Sequence, residues 1–199
     1  MSTHTPHLTV PVSGRDHIRG PVTATLTLLE YGDFECPYCG AAHPILEEVR
    51  ALLGPRLRFV YRHFPLTNVH PHAESAAEAA EAAGAQGRFW EMHDRLFEHQ
   101  DALEDEDLVA HADALGLDVE RFVEELADGV HAPRVRQDFL SGVRSGVNGT
   151  PSFYINGVRY NGQYDLASLL AASRRRCGRR EQIAGRISGD GSLDPPRDL

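Results

Sequence analysis

Two cysteines separated by two residues are the part of this sequence best suited to chemistry. Cys36 and Cys39 enclose Pro37 and Tyr38, and thiols at this spacing can close into a disulfide and open again. The pair follows a strand-like segment and opens a stretch with helical apolar spacing. The first N–H groups of a helix and its partial positive charge favour a thiolate, which is the attacking species. The motif therefore predicts a redox-active disulfide that requires no separate cofactor.

The order of the two cysteines predicts different roles for them. Cys36 comes first, directly before Pro37, and is expected to be the more exposed and more acidic thiol, and therefore the nucleophile. Cys39 is expected to be the resolving thiol that releases the substrate. The alternative is half of a zinc site. Structural zinc takes four ligands, often as two such pairs, and only Cys177 remains in the chain. We therefore assign no metal.

An acidic residue interrupts an apolar face of the strand before the motif. In the predicted strand Thr23–Tyr31, alternation places Leu26, Leu28 and Glu30 on one face. A carboxyl group buried there would have a raised pKa and could accept and return the proton of Cys39. The alternative is an ordinary residue at a strand end that reaches solvent.

Composition limits the partners. The 199 residues include 29 acidic and 20 basic side chains, for a formal net charge of −9, which argues against nucleic acid. No apolar run is long enough for a membrane span. The N-terminus has neither the basic nor the apolar region of a secretory signal, which predicts a cytoplasmic protein.

The order of predicted elements indicates an α/β fold with a helical insertion. A strand, the helix Cys36–Leu53 and a strand at Leu57–Phe64 follow one another closely, which implies a parallel crossover. Asn156-Gly157 between two short apolar runs predicts a hairpin. A further short strand is expected at Leu8–Val12. The other predicted helices are Ala73–Ala85, Arg88–His99, Asp105–Leu115, Asp118–Leu126, Ala132–Val147 and one that begins at Asp165.

Together these features resemble the DsbA-like class of thioredoxin-fold proteins. The resemblance lies in the Phe34–Gly40 motif after a strand, in Glu30 six residues before the first cysteine, in Pro44 within the helix, and in Thr150-Pro151 before the hairpin. It covers about residues 21–177. It implies a thioredoxin fold, a central mixed sheet flanked by helices, with an inserted all-helical domain. The implied divisions are a segment 1–20, a discontinuous thioredoxin-fold domain 21–70 and 148–177, the insertion 71–147, and a flexible tail 178–199.

The resemblance also implies how substrate is bound. Pro151 would follow a cis peptide bond, and the Thr150 backbone would pair with an extended substrate beside Cys36, with Pro37 and Tyr38 at the same surface. The alternative is a trans proline that simply opens a strand. Family members often have histidine at the position of Tyr38, and Cys-Pro-Tyr-Cys is also the glutaredoxin motif.

The predicted activity is that of a protein disulfide oxidoreductase. Its substrates would be protein thiols and disulfides, and a thioredoxin-like protein, glutathione or another redox partner would recycle the site. One alternative is a glutathione-dependent isomerase, transferase or glutaredoxin-like enzyme on the same fold. Another is a redox-sensing binding module without turnover. A cytoplasmic member would act mainly as a reductant or isomerase, because a disulfide at about −120 mV is strongly disfavoured at the cytosolic poise of about −220 to −320 mV.

Overall fold

The protein was analysed as a computed structural model that describes residues 6–175. Cys177 and the tail 178–199 lie outside the described residues. The strands are β1 (His17–Arg19), β2 (Leu26–Gly32), β3 (Leu57–His63), β4 (Ser152–Ile155) and β5 (Val158–Tyr160). The helices are α1 (Pro37–Leu53), α2 (Ala73–Ala85), α3 (Phe89–Glu98), α4 (Asp105–Ala114), α5 (Val119–Ala127), α6 (Ala132–Arg144) and α7 (residues 166–175), with a 3-10 turn at Gly54–Arg56.

The five strands form one mixed sheet in the order β1-β3-β2-β4-β5. β2 and β3 are parallel and joined through α1, whereas the other three pairings are antiparallel. This is the α/β thioredoxin architecture that the sequence predicts. The central strand β2 is buried along its whole length, so a polar side chain on it lies inside the protein.

The hairpin between β4 and β5 has the geometry that its sequence predicts. Asn156 and Gly157 both have positive φ, 50° and 78°, a conformation in which Asn and Gly cost least. The Asn156 side-chain oxygen also accepts a hydrogen bond of 2.8 Å from the Thr27 N–H. The hairpin is therefore tied to the start of β2, and this fixes β4 beside it.

The N-terminal segment differs from the prediction. Leu8–Val12 is not a strand, and only an isolated bridge joins His7 to Val158. The strand lies instead at His17–Arg19, inside the segment 1–20 that the resemblance set apart, and it pairs with β3. Alternating apolar residues suggested the strand at Leu8–Val12, but Pro11 has no N–H to donate to a ladder. β1 is too short to carry a pattern of its own.

Five helices, α2 to α6, lie between β3 and β4. The alanines of α2 are almost all buried, and their small side chains let α3, α4, α5 and α6 pack closely around it. One apolar core runs from the sheet into these helices and includes Leu28, Phe59, Ala79, Met92 and Phe122. The exact domain boundaries stay a prediction. None of the helices described is long and apolar enough to cross a membrane.

Candidate active site

Cys36 is the N-cap of α1. Its backbone is extended, with φ −72° and ψ 119°, and Pro37 takes the first helical position, where a missing N–H costs nothing. No side chain caps this end of the helix. The free N–H groups of the first turn therefore face the Cys36 sulfur, which is the arrangement that the sequence predicts for a stabilised thiolate.

The two cysteines are both buried free thiols. Cys36 is 3% exposed and Cys39 is 0% exposed. The order of exposure agrees with the predicted roles, but the difference is small. A substrate sulfur therefore meets little of the Cys36 surface and none of the Cys39 surface.

The pKa of the Cys36 thiol is lowered to about 5. The largest cause is a hydrogen bond from the Cys39 side chain, and Thr150 and the N–H groups of Cys39 and Tyr38 add to it, while burial acts in the opposite direction. Cys36 is therefore a thiolate at neutral pH. The pKa of Cys39 is raised well above its usual value, first by burial and then by Cys36 and Glu30. The two thiols thus differ in the way that a nucleophile and a resolving thiol require.

Glu30 is the buried acid that the strand pattern predicts. It is 1% exposed in the middle of β2, and its Oε1 atom has no hydrogen-bond partner among the described residues. Burial, and secondly the negative charge of Cys36, raises the pKa of this carboxyl to about 8. Glu30 also acts electrostatically on Cys39. A carboxyl that titrates near pH 8 can hold or accept a proton under the conditions in which the cysteines exchange.

We expect Glu30→Gln to stabilise the protein at alkaline pH and to slow its exchange of disulfides. An acid with a raised pKa in the folded state holds its proton there after the unfolded chain has released it. The free energy of unfolding of the natural protein should therefore fall as pH rises from about 4.5 to about 8. Urea titrations of both proteins at several pH values measure this. Equal pH dependence in the two proteins would contradict the raised pKa.

The loop before β4 closes the site from the other side. The Thr150–Pro151 peptide bond is cis. The Cys36 sulfur lies 3.4 Å from the Thr150 carbonyl oxygen, which accepts a hydrogen bond from Cys36 when Cys36 is a thiol. The Thr150 hydroxyl is buried and forms no other hydrogen bond among the described residues, so the Cys36 thiolate is the acceptor available to it. The structure thus brings together Cys36, Cys39, Glu30 and the Thr150-Pro151 pair.

The two residues between the cysteines face outward. Tyr38 is 64% exposed, and Pro37 is exposed as well. Neither carries a charge, so neither can supply a cation to the thiolate. An exposed aromatic ring beside a reactive sulfur is a suitable contact for an apolar part of a substrate. Their predicted role in substrate binding stays a prediction.

Carboxylates before the motif join it to the loop after β3, a feature that the sequence analysis missed. Asp33 accepts hydrogen bonds from the Glu35 and Leu66 N–H groups, both 2.9 Å, and its Oδ2 lies 2.8 Å from Nδ1 of His70. Glu35 accepts a bond of 2.6 Å from the His72 N–H. The segment that leads into Cys36 is therefore fixed to residues 66–72. An acid one or three residues before a cysteine gives no signal in the sequence by itself.

Gln100 holds the motif from the helical insertion. Its Nε2 donates hydrogen bonds to the carbonyl oxygens of Phe34, at 2.7 Å, and Cys36, at 2.9 Å. The side chain passes directly over Gly40, where a Cβ atom would collide with the Gln100 amide. This explains why the residue after Cys39 is glycine. Gln100 lies 64 residues from Cys36 in sequence, so only the fold reveals the contact.

Histidines and carboxylates form two groups whose ligand atoms lie within 4.8 Å of one another among the described residues. One contains His17, His63 and Glu81, and Arg134 also bonds to Glu81 at 3.3 Å. The other contains His43, His93 and Asp94, and Asp94 is paired with Arg19 at 2.7 Å. A guanidinium on each carboxylate competes with a metal cation. We therefore interpret both groups as ion-pair networks. The irregular spacing of His63, His70 and His72 in the sequence favours satisfied or solvated side chains over metal ligands, and two of them, His63 and His70, lie beside carboxylates at 2.9 and 2.8 Å.

A thiol pair at a helix N-terminus, opposite a cis-proline loop and within a mixed sheet, defines a thioredoxin-like protein with the DsbA type of helical insertion. The family model of the DSBA-like thioredoxin domain matches residues 27–173. The chain belongs to this family.

Solved structures show the same fold. BdbD from Bacillus subtilis, in its oxidised form, superimposes with a TM-score of 0.77 at 20% identity and covers 88% of this chain and 100% of its own. Alpha-DsbA1 from Wolbachia pipientis gives 0.74 at 18% identity over 89% and 98% of the two chains. A thioredoxin-like oxidoreductase from Silicibacter pomeroyi gives 0.73 at 24% identity over 85% and 94%.

The curated sequence relatives are named as antiporters rather than as oxidoreductases. The chain is 52% identical over 166 residues to a Na(+)/H(+) antiporter, NhaA 1, of Salinispora arenicola, which corresponds to 83% of this chain and 25% of the relative. It is 48% identical over 162 residues to an antiporter of the same name from a Mycobacterium species, strain KMS, over 79% and 26% of the two chains. The chain therefore spans about a quarter of the length of these curated relatives.

Proposed function

We propose that the protein exchanges disulfides with protein substrates through Cys36 and Cys39. One observation carries the proposal: the Cys36 sulfur lies at the start of α1, within hydrogen-bonding distance of Cys39 on one side and of Thr150 on the other. In the oxidising direction a substrate thiolate attacks the Cys36–Cys39 disulfide and forms a mixed disulfide with Cys36. Cys39 leaves as a thiolate and takes up a proton, which the Glu30 carboxyl can give. A second substrate thiolate then attacks, the substrate disulfide forms, and Cys36 leaves as a thiolate.

The acidic Cys36 favours the oxidising direction. A stabilised thiolate stabilises the dithiol form, and a couple whose dithiol form is stable is a stronger oxidant. This differs from the reductant expected of a cytoplasmic member. The cytoplasmic location inferred from the N-terminus stays a prediction, as does the identity of the recycling partner.

Thr150 is the proposed contact for the substrate main chain. Its carbonyl oxygen faces Cys36 at 3.4 Å, so an extended segment that pairs with this loop would place its own cysteine beside the Cys36 sulfur. The net charge of −9 and the exposed Tyr38 ring favour unfolded segments with apolar or basic residues around their cysteines.

The experiment that tests the function is the capture of a mixed disulfide by Cys39→Ser. Without the resolving thiol, a fluorescent peptide that contains one disulfide should remain bound to Cys36 and be released by dithiothreitol. Electrophoresis without reductant measures the adduct. The reduction potential of the natural protein, equilibrated against glutathione buffers, gives the direction of exchange. A protein that forms no adduct and catalyses neither oxidation nor reduction of the peptide would be a redox-sensing module instead.

A glutathione-using enzyme is the second candidate, and it is favoured by the Cys-Pro-Tyr-Cys motif. Such an enzyme can use Cys36 alone, so Cys39→Ser would keep its activity with glutathionylated peptide as substrate. Loss of turnover in this variant, with accumulation of the adduct, supports exchange between the two cysteines.

A further inference from the structure

The charged groups around His70 point to a role in the chemistry of Cys36. His70 lies in the loop after β3, and its Nδ1 is 2.8 Å from Oδ2 of Asp33. Asp33 precedes Cys36 by three residues, and its carbonyl oxygen accepts the Cys36 N–H at 3.2 Å. The imidazole is therefore attached to the backbone turn that carries the reactive sulfur.

The ion pair between Asp33 and His70 is largely buried, so its charges interact strongly with other charges nearby. The Asp33 side chain is 0% exposed and the His70 side chain is 17% exposed. A buried carboxylate three residues from a thiolate would oppose the charge on the sulfur unless a cation neutralises it. Neither residue between the cysteines supplies one, because Pro37 and Tyr38 are uncharged.

We propose that His70, held by Asp33, is the cation of this active site. It stabilises the Cys36 thiolate, and the fraction of molecules in which His70 is protonated falls when the Cys36–Cys39 disulfide forms. The biological role of this coupling rests on the proposed function, but the coupling itself can be measured without any substrate. His70 touches neither substrate nor sulfur in the structure, so it is a positioning residue that acts through charge and through Asp33.

The titration of His70 supports this coupling. Burial lowers its pKa, but the hydrogen bond and charge of Asp33, together with the charges of Cys36 and Glu35, overcome that effect and raise it. Cys36 carries a charge only as a thiolate. When the dithiol form gives two electrons to a substrate disulfide, the Cys36–Cys39 bond forms, the substrate bond breaks and the Cys39 proton goes to a substrate sulfur. The thiolate charge disappears, and His70 then binds its proton more weakly.

Coupling between two sites is reciprocal. The change in the pKa of His70 between the thiolate and thiol states of Cys36 equals the change in the pKa of Cys36 when His70 loses its charge. The disulfide, like the thiol, is uncharged, so a shift of similar size is expected between the two redox forms. The Cys39 hydrogen bond is the largest cause of the low Cys36 pKa, and Thr150 and the Cys39 and Tyr38 N–H groups also lower it, so we expect His70 to add a smaller effect than these contacts. Because the His70 side chain is partly exposed, we expect its charge and that of Cys36 to change each other's pKa by about 0.5 unit.

The first measurement needs no substitution. The imidazole resonances of His70 are titrated by NMR in the dithiol form, kept with dithiothreitol, and in the disulfide form, made with diamide. We expect the pKa of His70 to be about 0.5 unit lower in the disulfide form. An indistinguishable pKa in the two forms would overturn the proposal. Because diamide closes the disulfide chemically, this result does not depend on whether the protein turns over any substrate.

The second measurement uses variants. In His70→Asn the thiolate absorbance at 240 nm should appear at a pH about 0.5 unit higher, whereas His70→Arg should keep the low value. His131→Asn is the matched control, because His131 forms a similar ion pair with Glu125, 2.7 Å, in the helical insertion. A shift in His131→Asn as large as that in His70→Asn would also overturn the proposal, since it would show a general effect on stability.

Discussion

Replacement of Cys36 by serine is expected to abolish disulfide exchange, with a loss of rate of at least about a thousand-fold. Serine cannot form a disulfide, and its hydroxyl is not ionised near neutral pH, whereas the Cys36 thiol has a pKa of about 5. Cys39 cannot replace it, because this thiol is 0% exposed and its pKa is raised well above the usual value. The rate of oxidation of a dithiol peptide measures the loss.

The third cysteine provides a matched control for this variant. Cys177 lies outside the two-residue motif, so Cys177→Ser should exchange disulfides at the natural rate. The pH dependence adds a second test. Alkylation of Cys36 by iodoacetamide should reach half of its maximal rate near pH 5. A Cys36→Ser protein with substantial activity would show that the reaction uses another sulfur, and the assignment of roles would be wrong.

The largest effect on stability is expected from Arg62→Met. Arg62 lies on β3, is 2% exposed, and forms a buried ion pair of 2.6 Å with Asp16. It also donates hydrogen bonds to the carbonyl oxygens of Val10 and Pro11 and to the Tyr31 hydroxyl, at 2.9 to 3.1 Å. Methionine fills the space but leaves the Asp16 carboxylate buried without a cation, with only the Ser13 N–H still donating to it at 2.7 Å. We expect the free energy of unfolding to fall by about 3–5 kcal/mol.

An exposed ion pair on α3 is the matched control for the buried one. Arg88 and Glu91 lie 2.8 Å apart with 53% and 44% of their side chains exposed, so Arg88→Met should cost no more than about 1 kcal/mol. Urea denaturation of the disulfide form of each protein measures the difference. Equal losses in the two variants would mean that the Asp16 carboxylate relaxes into solvent and that the segment around it is not held by Arg62.

Helices and hairpins were predictable where a local pattern determines them. The bounds of Ala73–Ala85 agree with the structure because alanines and glutamates alternate around a helix that packs on several sides. The hairpin at Asn156-Gly157 agrees because only a few residue types adopt the positive φ values that its turn requires. Both are decided by residues close together in the sequence.

The short strand β1 could not be predicted, because its three residues are defined only by pairing with β3. The alternation at Leu8–Val12 was the stronger local signal, yet this segment lies at the sheet margin and two of its carbonyl groups bond to Arg62. Tertiary contacts thus decide the structure of residues 6–20, and the local pattern did not indicate it.

In the candidate site, the residues proposed to carry out the chemistry were predictable from the sequence, but the residues that hold them in place were not. Cys36, Cys39 and Glu30 were identified because a thiol pair at a helix start and an acid on an apolar face are unusual locally. Gln100 was missed because a single glutamine in a loop has no distinguishing neighbours, and His70 was interpreted as satisfied or solvated because nothing in the sequence links it to Asp33. Their contacts join segments 37 to 66 residues apart, a relation that only the folded chain contains.

The bridge between the N-terminal segment and β5 has a consequence for the behaviour of the protein in solution. Leu8 donates to the Gly157 carbonyl at 2.8 Å, and the Arg159 N–H donates to the Pro6 carbonyl at 2.9 Å. These bonds occupy main-chain groups that would otherwise be a template for another molecule. At the opposite margin β1 offers only three residues. Both margins of the sheet are thereby protected against main-chain pairing with other molecules, which is a common route to aggregation.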